Sequence, residues 1–216
     1  MWRAVFVVLT VLPALSVLPA AQLDPPLTDR EVQLAIDAGL AAVVRPVELP
    51  QSVGYTRDDL APIVAVAYSP QMLIGSAARM MRDHGRRLSV SGVPAKWRQR
   101  IVYVAFRSGS HVLPTGDRAL LDTEAKAVLM PERDFANLAD ETKRIQPLWL
   151  LHDPQAVFAE FGIEPPYANI AMVAAFPLSA LQPGRVVMAY RRYPSGDGWA
   201  LWCSRVLVEY VEALSR

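Results

Sequence analysis

The stretch RVVMAYRRYPSGDGWALWCSRVLVEY, residues 185–210, decides the fold class of this chain. Its two halves, 185–193 and 199–210, are rich in β-branched and aromatic residues, which favour extended backbone. Between them, Pro, Ser, Gly and Asp at 194–198 supply the turn chemistry that closes a hairpin. The stretch therefore predicts two antiparallel strands near the C-terminus, joined by a short loop.

Four more runs upstream of this hairpin have the composition of strands. They span residues 101–106, 126–130, 146–151 and 170–176. Pro, Gly and Asp lie between most of these runs, and short helices are predicted at 133–142 and 155–161. Several short strands separated by turns favour a mainly antiparallel β-sandwich or barrel-like domain over a parallel sheet. We expect residues 99–216 to form this β-rich C-terminal domain.

The N-terminal part of the chain carries helix signals instead. Thr28 and Glu31 form a capping-box pattern ahead of apolar residues at helical spacing, which predicts a helix from 29 to about 44. A Ser-Pro pair starts a second helix over 70–84, and Gly85 stands where a helix commonly ends.

A short apolar run at 63–68 predicts a buried strand between these helices, and 51–61 is predicted as a polar loop. We expect residues 22–98 to form an N-terminal helical portion packed on the C-terminal domain, which makes the protein α+β. The single cysteine, Cys203, permits no internal disulfide, so packing must supply the stability.

Residues 1–21 have the order of parts of a secretory signal peptide. Arg3 gives a positive start, 4–18 is an uncharged apolar run, and 19–21 are Pro, Ala and Ala. The run is shorter than the ~20 apolar residues of a membrane-spanning helix, and it contains Pro13. We expect cleavage and an extracytoplasmic mature chain, periplasmic or secreted, without a transmembrane segment. The alternative is an uncleaved anchor.

The expected mature chain has no net charge. The leader holds one of the 22 basic residues, Arg3, and none of the 21 acidic ones, so 21 of each sign remain. Nucleic-acid binders gain affinity from many summed phosphate contacts, which a neutral chain is poorly suited to make. Neutrality therefore argues against a nucleic-acid partner.

No spacing of residues matches a metal-binding or catalytic motif. The three histidines lie in different segments and, with one cysteine, give no zinc-ligand pattern, so no metal or cofactor is expected. The motifs G-x-S-x-G, S-x-x-K and H-E-x-x-H are missing. An active site would have to be assembled by the fold, and its candidate residues are His111, His152, Asp153 and Cys203. Alternatively, Cys203 is an inert buried residue on a strand.

Basic residues are concentrated between 79 and 107, where eight of them accompany one acid, Asp83. The candidate ligand-binding residues in this stretch are Arg86, Arg87, Trp97 and Arg98. Outside the cytoplasm they suit an anionic lipid surface or an acidic envelope protein, with Trp97 as an interfacial anchor. The alternative is a charged surface that keeps the protein soluble.

Two apolar features also have a binding and a structural interpretation. At the hairpin, Tyr193 and Trp199 suit stacking on a glycan, or else form a cross-strand pair that closes the turn. The helix predicted at 70–84 has a wide apolar face, formed by Met72, Leu73, Ala77, Met80 and Met81. Such a face is either an adaptable binding groove or part of the core.

Together these patterns favour a binding or structural module of the cell envelope over an enzyme. The alternative is a cell-envelope hydrolase whose active site is gathered only by the fold.

Overall fold

The computed structural model describes residues 24–49, 51–53, 63–108, 125–134, 141–152, 154–164, 170–192 and 199–215. Within these ranges the protein is α+β, as predicted, with two antiparallel sheets. The helices are α1 (Asp29–Ala41), α2 (Pro70–Asp83), α3 (Pro154–Glu160) and α4 (Val208–Ser215). The strands are β1 (Val47–Leu49), β2 (Gln51–Val53), β3 (Ile63–Tyr68), β4 (Ile101–Ser108), β5 (Lys126–Pro131), β6 (Trp149–Leu151), β7 (Ile170–Pro177), β8 (Arg185–Arg192) and β9 (Trp199–Arg205).

One sheet has the strand order β1-β3-β4-β7-β6 and the other the order β2-β9-β8-β5, and every pairing is antiparallel. The hairpin predicted from 185–210 pairs β8 with β9, so that Met188 lies opposite Cys203. β3 pairs with β4 along the whole length of β3, from Ile63 to Tyr68. The first sheet therefore joins strands from both sides of residue 98, while the division into two portions there stays a prediction.

The second strand of the hairpin is shorter than predicted. β9 ends at Arg205, and the residues predicted to continue it form α4. The apolar residues Leu207, Val211 and Leu214 recur at helical spacing, and Leu214 is completely buried. The Val and Tyr residues of this segment favour a strand by composition. The residues that pack against the core, however, recur at helical spacing.

Several other boundaries differ from the prediction. α1 ends at Ala41 rather than near 44, and residues 51–53 of the predicted loop form β2 because they pair with β9. Of the helix predicted at 133–142, the described residues form two 3₁₀ turns, Glu132–Asp134 and Glu141–Lys143. Pairing between distant segments decides such short elements, and local composition does not report it.

The largest cluster of buried side chains draws on both sheets. It includes Ala65, Val102, Phe106 and Phe176 from one sheet, and Ala127, Leu129, Val187 and Ala189 from the other. A second cluster packs α3 on the opposite face of the first sheet, and a third joins α1 to α2. No closed barrel is seen among the described strands.

α1 and α2 touch through backbone at Gly39 and Gly75. A Cβ on Gly39 would overlap the carbonyl group and Cα of Gly75, and one on Gly75 would lie 2.8 Å from the carbonyl oxygen of Ala35. Real Cβ atoms do not approach other atoms so closely. Glycine at both positions therefore permits the two helices to approach this closely, although glycine weakens a helix interior.

Glu31 ties α1 to the sheet. Its carboxylate accepts a hydrogen bond from the backbone N–H of Thr28 at 2.8 Å, which completes the predicted capping box. It also accepts one at 2.6 Å from the guanidinium of Arg100, next to β4. These two contacts, the backbone one first, hold the pKa of Glu31 below its usual value of 4.5.

Replacing Gly39 with Ala is expected to lower the free energy of unfolding by about 2 kcal/mol, because the new methyl group pushes α1 off α2. Ala38 is exposed on the same helix, so Ala38→Ser is the control, with an expected change within about 0.5 kcal/mol. Urea denaturation measures both. Equal free energies of unfolding for Gly39→Ala and the wild type would contradict this prediction, because α1 could then move away from α2 without a loss of stability.

Glu31→Gln is expected to lower the free energy of unfolding by about 1 kcal/mol at neutral pH, because the amide keeps the cap but loses the ion pair. A carboxyl group with a depressed folded pKa stabilises the protein above its unfolded pKa, here about 4.5, and this contribution disappears as pH falls through the folded value. The deficit of the variant should therefore shrink below pH 4.5. Asp37→Asn, an exposed carboxylate on the same helix, is the control. A deficit that stays constant to pH 3 would exclude the ion pair as its cause.

Candidate functional site

A mostly apolar groove of about 280 Å³ runs along α2. Its floor is formed by Tyr68 and Leu73, which are 4% and 1% exposed. The remaining lining residues are Val43, Val44, Pro46, Met72, Ser76, Arg79, Met80, Asp83, Ile163 and Glu164. The volume lies just below the range of about 300–1,000 Å³ typical of ligand pockets.

α2 lines the groove with residues spaced three and four apart. Met72, Ser76 and Met80 lie one turn from each other, so they share one stripe of the helix surface. Ala77 is buried against α1 on another stripe, and Leu73 packs against Tyr68 and other residues of the sheet cluster. The predicted apolar face of this helix is thus divided, with part of it in the core and Met72 and Met80 on the groove.

The two side walls come from segments that are remote in sequence. Residues 43–46 connect α1 to β1, and β1 is held by pairing Val47 with Ala67 of β3. On the other side, Gly162 adopts φ +65° after α3 and turns the chain so that Ile163 faces the groove. The N–H of Ile163 donates to the carbonyl of Phe158 at 3.0 Å, which fixes this turn.

Charged groups lie at the rim of the groove. The carboxylate of Asp83 accepts hydrogen bonds at 2.9 and 3.1 Å from Arg82, whose guanidinium also donates to the carbonyl of Leu40. Arg79 is half-buried, and among the described residues it makes no hydrogen bond or ion pair. Glu164 is exposed to solvent. Arg79 is therefore the one half-buried charge of this rim among the residues that the structure describes.

In the described part of the chain, three of the eight cations between 79 and 107 pair with acids that are distant in sequence. Arg98 pairs with Asp29, and Lys96 pairs with Glu160 at 2.6 Å. Arg98 also donates to the carbonyl of Val90 at 2.7 Å, so its guanidinium is already engaged within the fold. These pairs, together with that between Arg100 and Glu31, reduce the charge imbalance seen along the sequence.

Arg86 and Arg87 are the candidate cations that remain accessible. Both are exposed, and neither has an acidic partner in the part of the chain that the structure describes. Arg87 and Arg98 border a broader depression of about 600 Å³ beside α1. This depression is more polar, and Asp29 and Asp37 lie in it, so it offers no uniform charge to an anionic surface.

Trp97 packs inward rather than serving as a surface anchor. Its ring stacks on Phe161 with a centroid distance of 4.9 Å, and its side chain contacts both the sheet cluster and the helical cluster. The indole Nε1 is buried and has no hydrogen-bond partner in the described ranges. The ring therefore packs where the helical cluster meets the sheet cluster.

The candidate catalytic residues do not come together where they are described. Cys203 is 2% exposed in a cluster with Met188 and Tyr190 on the second sheet, and burial raises the pKa of its thiol to about 12. His152 is within hydrogen-bond distance of the carbonyl of Ala125, 3.1 Å from its Nε2. His111 and Asp153 lie outside the described residues.

The hairpin tip is described only in part. Trp199 begins β9 opposite Arg192, and Tyr193 lies outside the described residues. Both the glycan-stacking and the cross-strand interpretation of this pair stay predictions.

The described residues contain neither a metal-ligand cluster nor a membrane-spanning helix. Among them, no three His, Cys, Asp or Glu side chains gather into a possible metal site. No helix within those ranges combines the length and apolar character needed to cross a bilayer.

Sequence reasoning identifies one wall of the groove and misses the others. The methionines of α2 are recognisable as a possible groove, but nothing in the local pattern singles out Val44 or Ile163. Val44 lies beyond the true end of α1, and Ile163 follows the glycine that ends α3. The Pro-rich segment after α1 and the Gly-Ile pair at 162–163 were the available signals.

The chain was compared with known protein families, with curated proteins and with solved structures. None of the three comparisons finds a match. The function proposed below therefore rests on the residues and their geometry.

Cys203 is expected to react very slowly with iodoacetamide in the folded protein at pH 8. A pKa of about 12 leaves roughly a thousandfold less thiolate than the ordinary value of 9.0, and the side chain is also inaccessible. The measurement is the labelling rate with and without denaturant, which reports one site because the chain has one cysteine. Folded labelling within about tenfold of the denatured rate would restore Cys203 as a candidate nucleophile.

Proposed function

We propose that this protein is an exported binding module that takes an apolar small molecule into the groove along α2. The observation that carries the proposal is a concave apolar surface with a buried floor and two methionines, Met72 and Met80, on one wall. Concave, mostly apolar sites with few polar groups are the usual form of ligand pockets.

The methionines suit this role physically. An unbranched thioether side chain adapts its rotamer to an irregular ligand, and sulfur is polarisable. Met80 takes part in none of the buried clusters of the described residues, so its contacts are available to a ligand. Val43, on the facing wall, is 63% exposed, and a ligand in the groove would cover it.

The binding proposal has more support than the hydrolase alternative. A nucleophilic cysteine needs a lowered pKa and access to substrate, whereas Cys203 has a raised pKa and is buried. A general base must reach its substrate, whereas a ring nitrogen of His152 faces a backbone carbonyl. Ligand binding in the groove is therefore the better-supported of the two proposals.

The proposal also includes a location and a finer architecture. The signal-peptide pattern at 1–21, which lies outside the described residues, supports export to the periplasm or the medium. The core cluster shared by both sheets supports a β-sandwich arrangement, with α3 covering the outer face of the first sheet. We also propose that the protein acts beside an envelope protein, a lipid surface or a glycan.

Binding of the neutral fluorophore N-phenyl-1-naphthylamine tests the proposal, because its emission rises in apolar surroundings. We expect the mature protein to bind it saturably. Ser76→Phe, which fills the groove from its α2 wall, should weaken binding by about tenfold.

A matched pair of substitutions separates the groove from apolar surface in general. Val43 and Leu34 are both exposed, at 63% and 57%, but only Val43 lines the groove. Val43→Glu should weaken probe binding by about fivefold, and Leu34→Glu should leave it unchanged within about twofold. No binding by the wild type, or equal losses in both variants, would reject the proposal.

A further inference from the structure

We propose that the groove binds a single acyl chain with a free carboxylate, and that Arg79 binds the carboxylate. This inference rests on the proposed function, since it names the ligand class of the same groove. Arg79 lines the groove on α2, between Ser76 and Met80 in the stripe that faces the ligand.

The state of Arg79 carries the inference. Four neighbouring cations, Arg82, Lys96, Arg98 and Arg100, each have an acidic partner. Arg79 has none among the residues that the structure describes, although it is half-buried. A charge that is partly removed from water without a partner is unfavourable, and a planar guanidinium matches a carboxylate with two parallel hydrogen bonds.

A second donor lies one turn away. Ser76 is half-buried on the groove, and its hydroxyl has no hydrogen-bond partner within the described ranges. Residues three apart on a helix have neighbouring side chains, so Ser76 and Arg79 can both donate hydrogen bonds to one small anionic group. The apolar residues along the rest of the stripe then contact the chain that follows the carboxylate.

The acids at the rim limit the charge of the ligand. Asp83 is held by Arg82, and Glu164 is exposed, so water and the neighbouring cation compensate both. Their presence still disfavours a group with two negative charges, such as a phosphate monoester, beside a single guanidinium. A monoanionic carboxylate fits this balance better.

The size of the groove indicates a chain of medium length. A volume of about 280 Å³ is smaller than that of a typical pocket for a drug-sized ligand, which favours a medium chain over a long one. Decanoate is therefore a suitable probe, and methyl decanoate is the matched neutral ligand with the same chain.

The experiment measures displacement of N-phenyl-1-naphthylamine by both ligands, below their aggregation limits. We expect decanoate to bind the wild type about tenfold more tightly than the ester at pH 7.5. Arg79→Gln should remove this preference while ester binding stays within about twofold, and Ser76→Ala should reduce the preference by about threefold. Added salt should reduce the preference for decanoate, because it screens the charge interaction, and should leave binding of the ester unchanged.

Arg87→Gln is the matched control, because Arg87 is also unpaired among the described residues but lies outside the groove. It should keep the full preference for decanoate, and circular dichroism should show that every variant is folded. Equal affinity of the wild type for both ligands, or a preference that survives Arg79→Gln, would overturn the inference and leave the proposed function standing.

Two further outcomes separate the hypotheses. If neither ligand nor the neutral fluorophore binds the wild type, the proposed function itself fails. If a short apolar peptide with a free C-terminal carboxylate binds more tightly than decanoate, the acyl assignment is overturned in favour of a peptide.

Discussion

The backbone contact between Gly39 and Gly75 sets the distance between α1 and α2, and the groove depends on that distance. Because neither residue has a side chain, Val44 can descend to within 3.1 Å of the place where a Cβ of Gly75 would lie. The chain that leaves α1 therefore runs along α2, and Val43 and Pro46 form a wall of the groove. Two glycines in helix interiors cost about 1 kcal/mol each, which the burial of Ile36 and Ile74 offsets.

Two ion pairs of the basic stretch also depend on the position of α1. The first turn of α1 carries Asp29 and Glu31, and these reach Arg98 and Arg100 in the segment that leads into β4. A stretch that is strongly basic in sequence is thereby tied to the helix that precedes it by about seventy positions. Once these pairs are formed, the distribution of the remaining charge is informative, because Arg79 stays on the groove without a partner among the described residues.

Local signals were sufficient for much of the fold. The capping box at Thr28 and the Ser-Pro start of α2 depend on a few neighbouring residues, and both helices begin where those residues indicate. The strands with continuous apolar composition, such as β3 and β7, are also found close to their predicted bounds. β1 and β2 were missed, since three-residue strands exist only through pairing with β3 and β9.

The candidate site was predictable only where it lies on one regular element. Met72 and Met80 are spaced by two helical turns, so their common face is visible in the sequence, but periodicity cannot say whether that face meets a neighbour. Arg79 is one of eight similar cations between 79 and 107, and the partners of several others come from segments more than fifty residues away. Distinguishing it required the fold.

Backbone contacts hold both side walls of the groove in place. Residues 43–46 are anchored at one end by α1 and at the other by the pairing of β1 with β3. The opposite wall is held by the backbone turn at Gly162, where the positive φ and the bond from Ile163 to Phe158 fix the chain direction. Closing the space would therefore require a shift of a helix end or of a strand pair. The concavity therefore belongs to the fold itself, and the unbranched side chains of Met72 and Met80 line it.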